Sequence, residues 1–273
     1  MTPKAIILRT AGTNCDAEMV RAFALAGAKP DLVHLDRLIA EPQRLDDYDL
    51  VGFPGGFSYG DDIASGRVFA LRVRERLYPG LRVAVERGAC IIGACNGFQI
   101  MVQIGLLPGC EPGAWPADAP PARTTALTDN VGGRFIDRWL RMEVNHDSPC
   151  IWTRGLTTDP HAMMLPIAHG EGRFVTRTPD VLAQLESRGQ IAIRYADGDN
   201  ANGSTARIAG ICDPSGRIFG LMPHPERYLD WSAHPFATAL PVGVASGDTP
   251  GLRMFQNAVE HVRAGTTHPA AAR

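Results

Sequence analysis

The sequence predicts an α/β fold: a doubly wound, mostly parallel sheet with helices on both faces, plus an antiparallel extension. Three observations carry that prediction. Short apolar runs alternate with helical segments from the N-terminus to Ile104. A Pro-, Gly- and Ala-rich connection from Gly109 to Pro121 then interrupts the alternation. Beyond it the texture is that of strands and hairpins, closed by one well-signposted helix.

Each element has its own reason. Ala5-Ile6-Ile7-Leu8 is a short apolar run suited to a buried strand, and Gly12-Thr13-Asn14 turns the chain after it. Met19, Phe23 and Ala26 recur at helical spacing with Val20 and Ala24 beside them, and Gly27 stands where a helix ends. Leu32 to Leu35 and Leu50 to Phe53 read as further strands. A helical region spans Val68 to Arg87, with an interruption expected at Pro79-Gly80. Ala89 to Gly93 is another buried strand and Phe98 to Ile104 a helix. Phe135 to about Cys150 and Gln190 to Tyr195 suit antiparallel strands. Ile208 to Cys212 and Arg217 to Leu221 form a hairpin around Asp213-Pro214-Ser215-Gly216. Thr249 caps the last helix, Pro250 suits its first turn, and Leu252, Phe255, Val259 and Val262 line one apolar face. The chain after Arg263 reads as frayed.

Composition bounds the function. The 273 residues are 45% hydrophobic and 21% charged, enough for a full core and unlike a disordered chain. Lys and Arg total 27 against 29 Asp and Glu, so a strongly basic nucleic-acid footprint is absent and no nucleic-acid partner is expected. Apolar runs are too short for a membrane span or a signal peptide, which suggests a soluble, cytoplasmic protein. We expect one domain over 1–265 and a frayed tail over 266–273. Six cysteines (Cys15, Cys90, Cys95, Cys110, Cys150 and Cys212) form no C-x-x-C pair, so neither a zinc ribbon nor a thioredoxin-type motif is present. Most should be small buried hydrophobes.

Four segments could carry chemistry. In Ile91-Ile92-Gly93-Ala94-Cys95-Asn96-Gly97-Phe98-Gln99 a strand runs through small residues into a cysteine and then a helix. That is the layout of a nucleophile elbow with Cys for Ser. A helix N-terminus beneath the sulfur favours the thiolate, and the Asn96 N–H would face a developing oxyanion. The bland alternative is a core cysteine at a strand end. In Pro223-His224-Pro225-Glu226, two prolines fix the backbone around the histidine, and an extended chain would turn His224 and Glu226 to one side. A carboxylate orienting an imidazole base fits, as does a rigid surface loop. Pro54-Gly55-Gly56-Phe57-Ser58-Tyr59-Gly60-Asp61 lets backbone N–H groups approach a ligand, but lacks the lysine and spacing of a phosphate loop. Pro166 to Phe174 holds His169, Glu171 and Arg173 between glycines, as a substrate contact or a solvated loop; a third metal ligand at typical spacing is missing.

Taken together, the ordered segments resemble the class I (triad-type) glutamine amidotransferases, most closely the glutaminase subunits of phosphoribosylformylglycinamidine synthase. The matching pieces are Gly12-Thr13-Asn14-Cys15-Asp16, Pro54 to Asp61, Cys95 to Gln99, Gly105 to Gly109, Ala168 to Gly172 and Pro223 to Arg227. They span about Lys4 to His261. The resemblance implies a flavodoxin-like doubly wound fold and a set of roles. Cys95 would be the nucleophile, His224 the base and then acid, and Glu226 its orienting carboxylate. Gly55 and Gly56 would form the substrate loop, with the Gly56 and Asn96 N–H groups as oxyanion hole. Gln99, His169, Gly170 and Glu171 would line the glutamine. No metal or cofactor of the chain's own is implied. ATP and magnesium would be used by a large synthetase partner, with a small accessory subunit as second partner.

Three departures from that family's wording stand out. Gly60 to Gly66 lacks the Tyr-Leu-Arg-Cys-Gly usual after the aspartate, Ala201 stands where proline is usual, and Tyr228 to Gly247 is longer than expected. A free-standing cysteine hydrolase, such as a γ-glutamyl hydrolase, would carry the same triad. A catalytically silent scaffold could keep the same fold.

Overall fold

The computed structural model describes residues 1–265, so the expected tail over 266–273 lies outside the described residues. β1 (Lys4–Arg9) pairs in parallel with β2 (Lys29–His34) on one side and β3 (Leu50–Phe53) on the other. Ala5 to Leu8 are wholly buried. A strand covered on both faces has no solvent side, which is why it reads as an unbroken apolar run. β4 (Cys90–Ala94) pairs with β3, again in parallel. α1 (Asp16–Leu25) packs Met19, Ala22 and Phe23 on one face of this sheet. α3 (Arg67–Arg76), α4 (Tyr78–Arg87) and α5 (Asn96–Ile104) cover the other with Phe69, Val73, Leu81 and Met101.

Two local readings are corrected here. The second strand starts at Lys29 and stops at His34, and Leu35 opens a short helix, α2 (Leu35–Ala40), that periodicity did not reveal. The His34 ring switches the chain over by accepting a hydrogen bond from the Asp36 N–H at 3.2 Å. The interruption between α3 and α4 falls at Leu77 instead of Pro79-Gly80. Pro79 lies in the first turn of α4, where its missing N–H would have had no helical partner anyway.

The second half builds β5 (Thr125–Thr128), β6 (Ile136–Val144), β7 (Met164–His169), β8 (Arg173–Thr176), α6 (Pro179–Ser187), β9 (Ile191–Tyr195), β10 (Ile208–Cys212), β11 (Ile218–Leu221) and α7 (Pro250–Gly265). The loop alternative for Pro166 to Phe174 is overturned, since most of it belongs to β7 and β8. The large sheet runs β2-β1-β3-β4-β11-β10-β9-β6-β7, with β5 and β8 as a separate ribbon. Its β2-to-β11 half is parallel; β10, β9, β6 and β7 form the antiparallel extension. β11 aligns with β4 from Ile218↔Ile91 to Leu221↔Ala94, so the two strands end at one level. Ligand sites of open α/β sheets lie beyond such carboxyl ends.

α7 returns to the face of α1, burying Met254, Phe255, Ala258 and Val259. Phe255 meets Phe23 edge-on with ring centroids 5.1 Å apart. The helix continues to Gly265, past the point where fraying was expected. Thr249 caps it as predicted: its Oγ1 accepts from the Leu252 N–H at 3.3 Å and donates to the Tyr228 carbonyl. The long segment after Arg227 is tied down at its start, where buried Tyr228 packs edge-on against Trp139 and Trp231.

Candidate active site

Cys95 follows β4 directly and precedes α5, with φ 52° and ψ −110°. A side-chain-bearing residue at positive φ is strained and stays so only where its surroundings fix it. Here the surroundings are close: a Cβ at Gly97 would collide with the Phe53 carbonyl, and one at Gly93 with the Met101 side chain. The small residues beside Cys95 thus let helix and strand approach until the sulfur is lifted over the sheet edge. Sγ lies 3.6 Å from the Ala168 carbonyl of β7, and the residue is 5% exposed.

His224 stands three residues beyond the end of β11. Its N–H donates to the Pro166 carbonyl at 2.9 Å, anchoring it to β7. Nδ1 and the Glu226 Oε1 are 2.7 Å apart, and both side chains are buried. The expected extended segment is instead a 3-10 turn over Pro225–Arg227, so the two groups meet across a turn rather than along a strand. Burial opposes the imidazolium. Glu226, followed by the Cys95 and Cys15 sulfurs, overcomes that opposition and holds His224 protonation well above the ordinary imidazole range. Glu226 thus occupies Nδ1, and Nε2 has no hydrogen-bond partner among the described residues.

The glycine loop closes over this ring. Asn14 and Cys15 donate their N–H groups to the Gly55 carbonyl at 3.3 and 3.2 Å, and Phe57 donates to Gly12 at 2.8 Å. A Cβ at Gly55 would stand 2.6 Å from His224 Cε1, and Gly56 has φ 141°. Only glycines pass at this height. The Asn96 N–H, in the first turn of α5, is one of the donors a helix leaves without an internal partner.

Asn96 and Gln99 are joined side by side. Asn96 Nδ2 donates to Gln99 Oε1 at 2.9 Å and Oδ1 accepts from the Ser58 N–H at 3.3 Å. Gln99 Nε2 donates to the Glu171 carbonyl at 2.5 Å, while the Glu171 carboxylate accepts from the Ser65 N–H at 3.3 Å. Gly170 accepts through its carbonyl from the Asn130 N–H at 2.9 Å. His169 is buried beneath them, its Nδ1 3.1 Å from Asn130 Oδ1. Burial, reinforced by the nearby positive His224, pushes its pKa down to about 4, so it is neutral at pH 7.

Sequence reasoning missed several participants. Cys15, grouped with the bland cysteines, lies 3.8 Å from His224 Nδ1, and Arg227 Nη2 donates to its sulfur at 3.1 Å. Cys15 and His224 are 209 positions apart, so no local spacing could have paired them. Asn130 and Asp61 were missed too. Asn130 bonds the His169 ring, and Asp61 accepts from Ser65 Oγ at 3.0 Å and the Gly66 N–H at 3.3 Å. The ligand atoms of Cys15, His224 and Glu226 lie within 4.8 Å of one another. The Glu226–His224 hydrogen bond and the Arg227 cation on the sulfur both oppose a metal ion there.

A strained cysteine over a helix N-terminus, an imidazole and a buried carboxylate are the parts of a cysteine-dependent acyl-transfer site. A family model described as CobB/CobQ-like glutamine amidotransferase domain matches residues 2–262, and the chain belongs to that family. Its relatives narrow the family. The chain is 42% identical over 269 residues to phosphoribosylformylglycinamidine synthase subunit PurQ of Dehalococcoides mccartyi, covering 95% of this chain and 98% of that one. PurQ of Methanococcus maripaludis is 38% identical over 278 residues, with 96% and 98% covered. Within the amidotransferases, the chain belongs to the PurQ family. Among solved structures, one titled "Structure of PurLQS from Thermotoga maritima" matches with TM-score 0.70 and 33% identity, over 96% of this chain and 99% of the other.

Proposed function

We propose that this chain is the glutaminase subunit of a phosphoribosylformylglycinamidine synthase: it releases ammonia from glutamine for de novo purine biosynthesis. The observation that carries the reading is the buried His224–Glu226 pair, 2.7 Å apart, at the level of the strained Cys95.

The chemistry proceeds in two halves. The Cys95 thiolate adds to the side-chain amide carbon of glutamine, and the carbonyl electrons move onto oxygen. The Gly56 and Asn96 N–H groups receive that oxyanion; losing one such donor slows comparable sites by about 10²–10³. The imidazolium gives its Nε2 proton to the departing nitrogen as the C–N bond breaks, leaving a thioester and ammonia. Water then adds to the thioester carbon while His224 takes its proton. The C–S bond breaks, and glutamate and the thiolate are released. Glu226 keeps the ring in the tautomer that presents Nε2 and stabilises it when charged. Gln99, His169, Gly170 and Glu171 form the wall against which glutamine lies, with Gly55 and Gly56 opposite.

Residues 1–265 act as a single domain, since both apolar cores flank one sheet. The ammonia passes to a large synthetase subunit that uses ATP and magnesium, with a small accessory subunit completing the complex. No helix among the described residues is long and apolar enough to cross a membrane, and we place the complex in the cytoplasm. The test is Cys95→Ala in the assembled complex. Glutamine-dependent synthesis should vanish while ammonia-dependent synthesis continues. Persistent glutamine use would overturn the assignment of Cys95.

A further inference from the structure

A second cavity, of about 740 Å³, opens between β5, the start of α3 and α5. Arg67, Arg123 and Arg177 line it. Arginines elsewhere in this near-neutral chain are often paired, as in Arg9–Asp16, Arg141–Asp199 and Arg253–Glu260. None of these three has a carboxylate or another hydrogen-bond acceptor for its side chain among the described residues. Asp61, Asp129 and Glu171 share the lining, so its formal charges balance; what the three guanidiniums leave over is hydrogen-bond donors without acceptors.

The cavity's floor adds an independent observation. Thr125 and Thr176 are cross-strand partners in the β5–β8 ribbon, so their side chains share one face. Both line the cavity. Thr125 is 5% exposed, and its hydroxyl has no hydrogen-bond partner among the described residues. A buried hydroxyl left unpaired costs the fold its desolvation penalty. An anionic oxygen reaching the floor would remove that penalty, and only a compact group reaches so deep. Of the acids on the wall, Asp61 and Glu171 already accept hydrogen bonds from Ser65. In hydrogen-bonding capacity the lining thus leaves over three guanidiniums against one carboxylate, that of Asp129.

We propose that this cavity binds a phosphorylated small molecule of nucleotide size, its phosphates held by Arg123, Arg177 and Arg67 with the Thr125 hydroxyl at the floor. Arginine suits phosphate because its planar fork donates in pairs. The volume, about 740 Å³, has room for a small molecule and not only for one isolated ion. The site shares a wall with the glutamine pocket through Glu171, whose carbonyl accepts from Gln99. An occupant is therefore placed to affect glutamine binding through Glu171 and Ser65.

The experiment is a calorimetric titration of the full chain with inorganic pyrophosphate and adenosine diphosphate as probes, repeated on the assembled complex with the Arg123→Ala, Arg177→Ala complex as the blank for nucleotide bound by the ATP-using synthetase partner. Saturable one-to-one binding that weakens with rising salt is expected. Arg123→Ala combined with Arg177→Ala should weaken it by about tenfold or more, and Thr125→Val should weaken it further. Tighter binding of the nucleotide than of pyrophosphate is expected; equal binding would overturn the nucleotide size of the occupant. Absence of saturable binding, or equal binding by the double variant with unchanged melting temperature, would overturn the proposal. So would binding lost on assembly, which would assign the arginines to the subunit interface. Direct binding is the readout, so failure here leaves the glutaminase reading intact, and the reverse also holds.

Discussion

Gly55→Ala should disable the site without touching any of its functional side chains. The added Cβ would lie 2.6 Å from His224 Cε1 and 3.2 Å from Cys15 Sγ. Carbon atoms at rest sit about 3.5–4.0 Å apart, so ring and loop must separate by about 1 Å. Neither can yield without loss. If the ring moves, it breaks alignment with Glu226 on one side and Cys95 on the other. If the loop lifts, the Gly56 N–H leaves the oxyanion position. A displacement of this size costs about 10²-fold in rate. The assay is glutamine-dependent synthesis by the assembled complex, with ammonia-dependent synthesis as the control for an intact partner and thermal melting as the control for folding. The expected pattern is a fall of about 10²-fold in the first and no change in the second. Near-normal glutamine turnover in a folded Gly55→Ala chain would refute the crowding argument and, with it, the placement of this loop over the imidazole.

Further predictions follow from burial and charge. His169 has a pKa of about 4 when folded and about 6.5 when unfolded. The unfolded chain therefore binds the extra proton first, and stability is lost as pH falls from 6.5 toward 4, by up to about 3 kcal/mol. Urea titrations should show His169→Gln with a shallower loss of stability over that window; an identical slope would remove His169 as the cause. Phe255→Ala empties a wholly buried site between Phe23 and Trp152 and should lower stability by about 3–5 kcal/mol, read by denaturant midpoint. A chloroketone analogue of glutamine should alkylate Cys95 alone and be blocked by glutamine. Cys90 should stay silent, because burial pushes its thiol up to about 12; labelling at Cys90 in peptide maps would contradict this.

Legibility in the sequence followed how local the governing interactions are. β3 keeps the boundaries the sequence predicts because Asp49 precedes the apolar run and Pro54-Gly55-Gly56 stops it. Likewise the Thr249-Pro250 start of α7 is a cap that acts within one turn. By contrast α2 depends on the His34 ring bonding Asp36, and the α3–α4 break on where Pro79 falls in a turn; apolar periodicity records neither. The active site divides the same way. Cys95, His224 and Glu226 are marked by their immediate neighbours, glycines in one case and prolines in the other. Cys15 carries no such mark, and only the folded chain brings it against the imidazole, with Arg227 on its sulfur. Asn130 reaches His169 from 39 positions away, a pairing that only the fold creates.

The in-register ending of β4 and β11 has a consequence for how this molecule can be altered. Adjacent strands are held about 4.8 Å apart by their hydrogen-bond ladder; Cys95 follows Ala94 directly, while His224 stands three residues beyond Leu221, the partner of Ala94, and is tied through its N–H to the Pro166 carbonyl of β7. Their separation is therefore set by the β4–β11 ladder together with the anchor of His224 on β7. Leu229, Trp231 and His234 pack on the core beside Trp139 and Tyr228, so changes of length are tolerated only in the exposed stretch beyond them, around Pro241 to Gly247. An insertion there should leave the catalytic pair in step, because neither Cys95 nor His224 is held by that stretch.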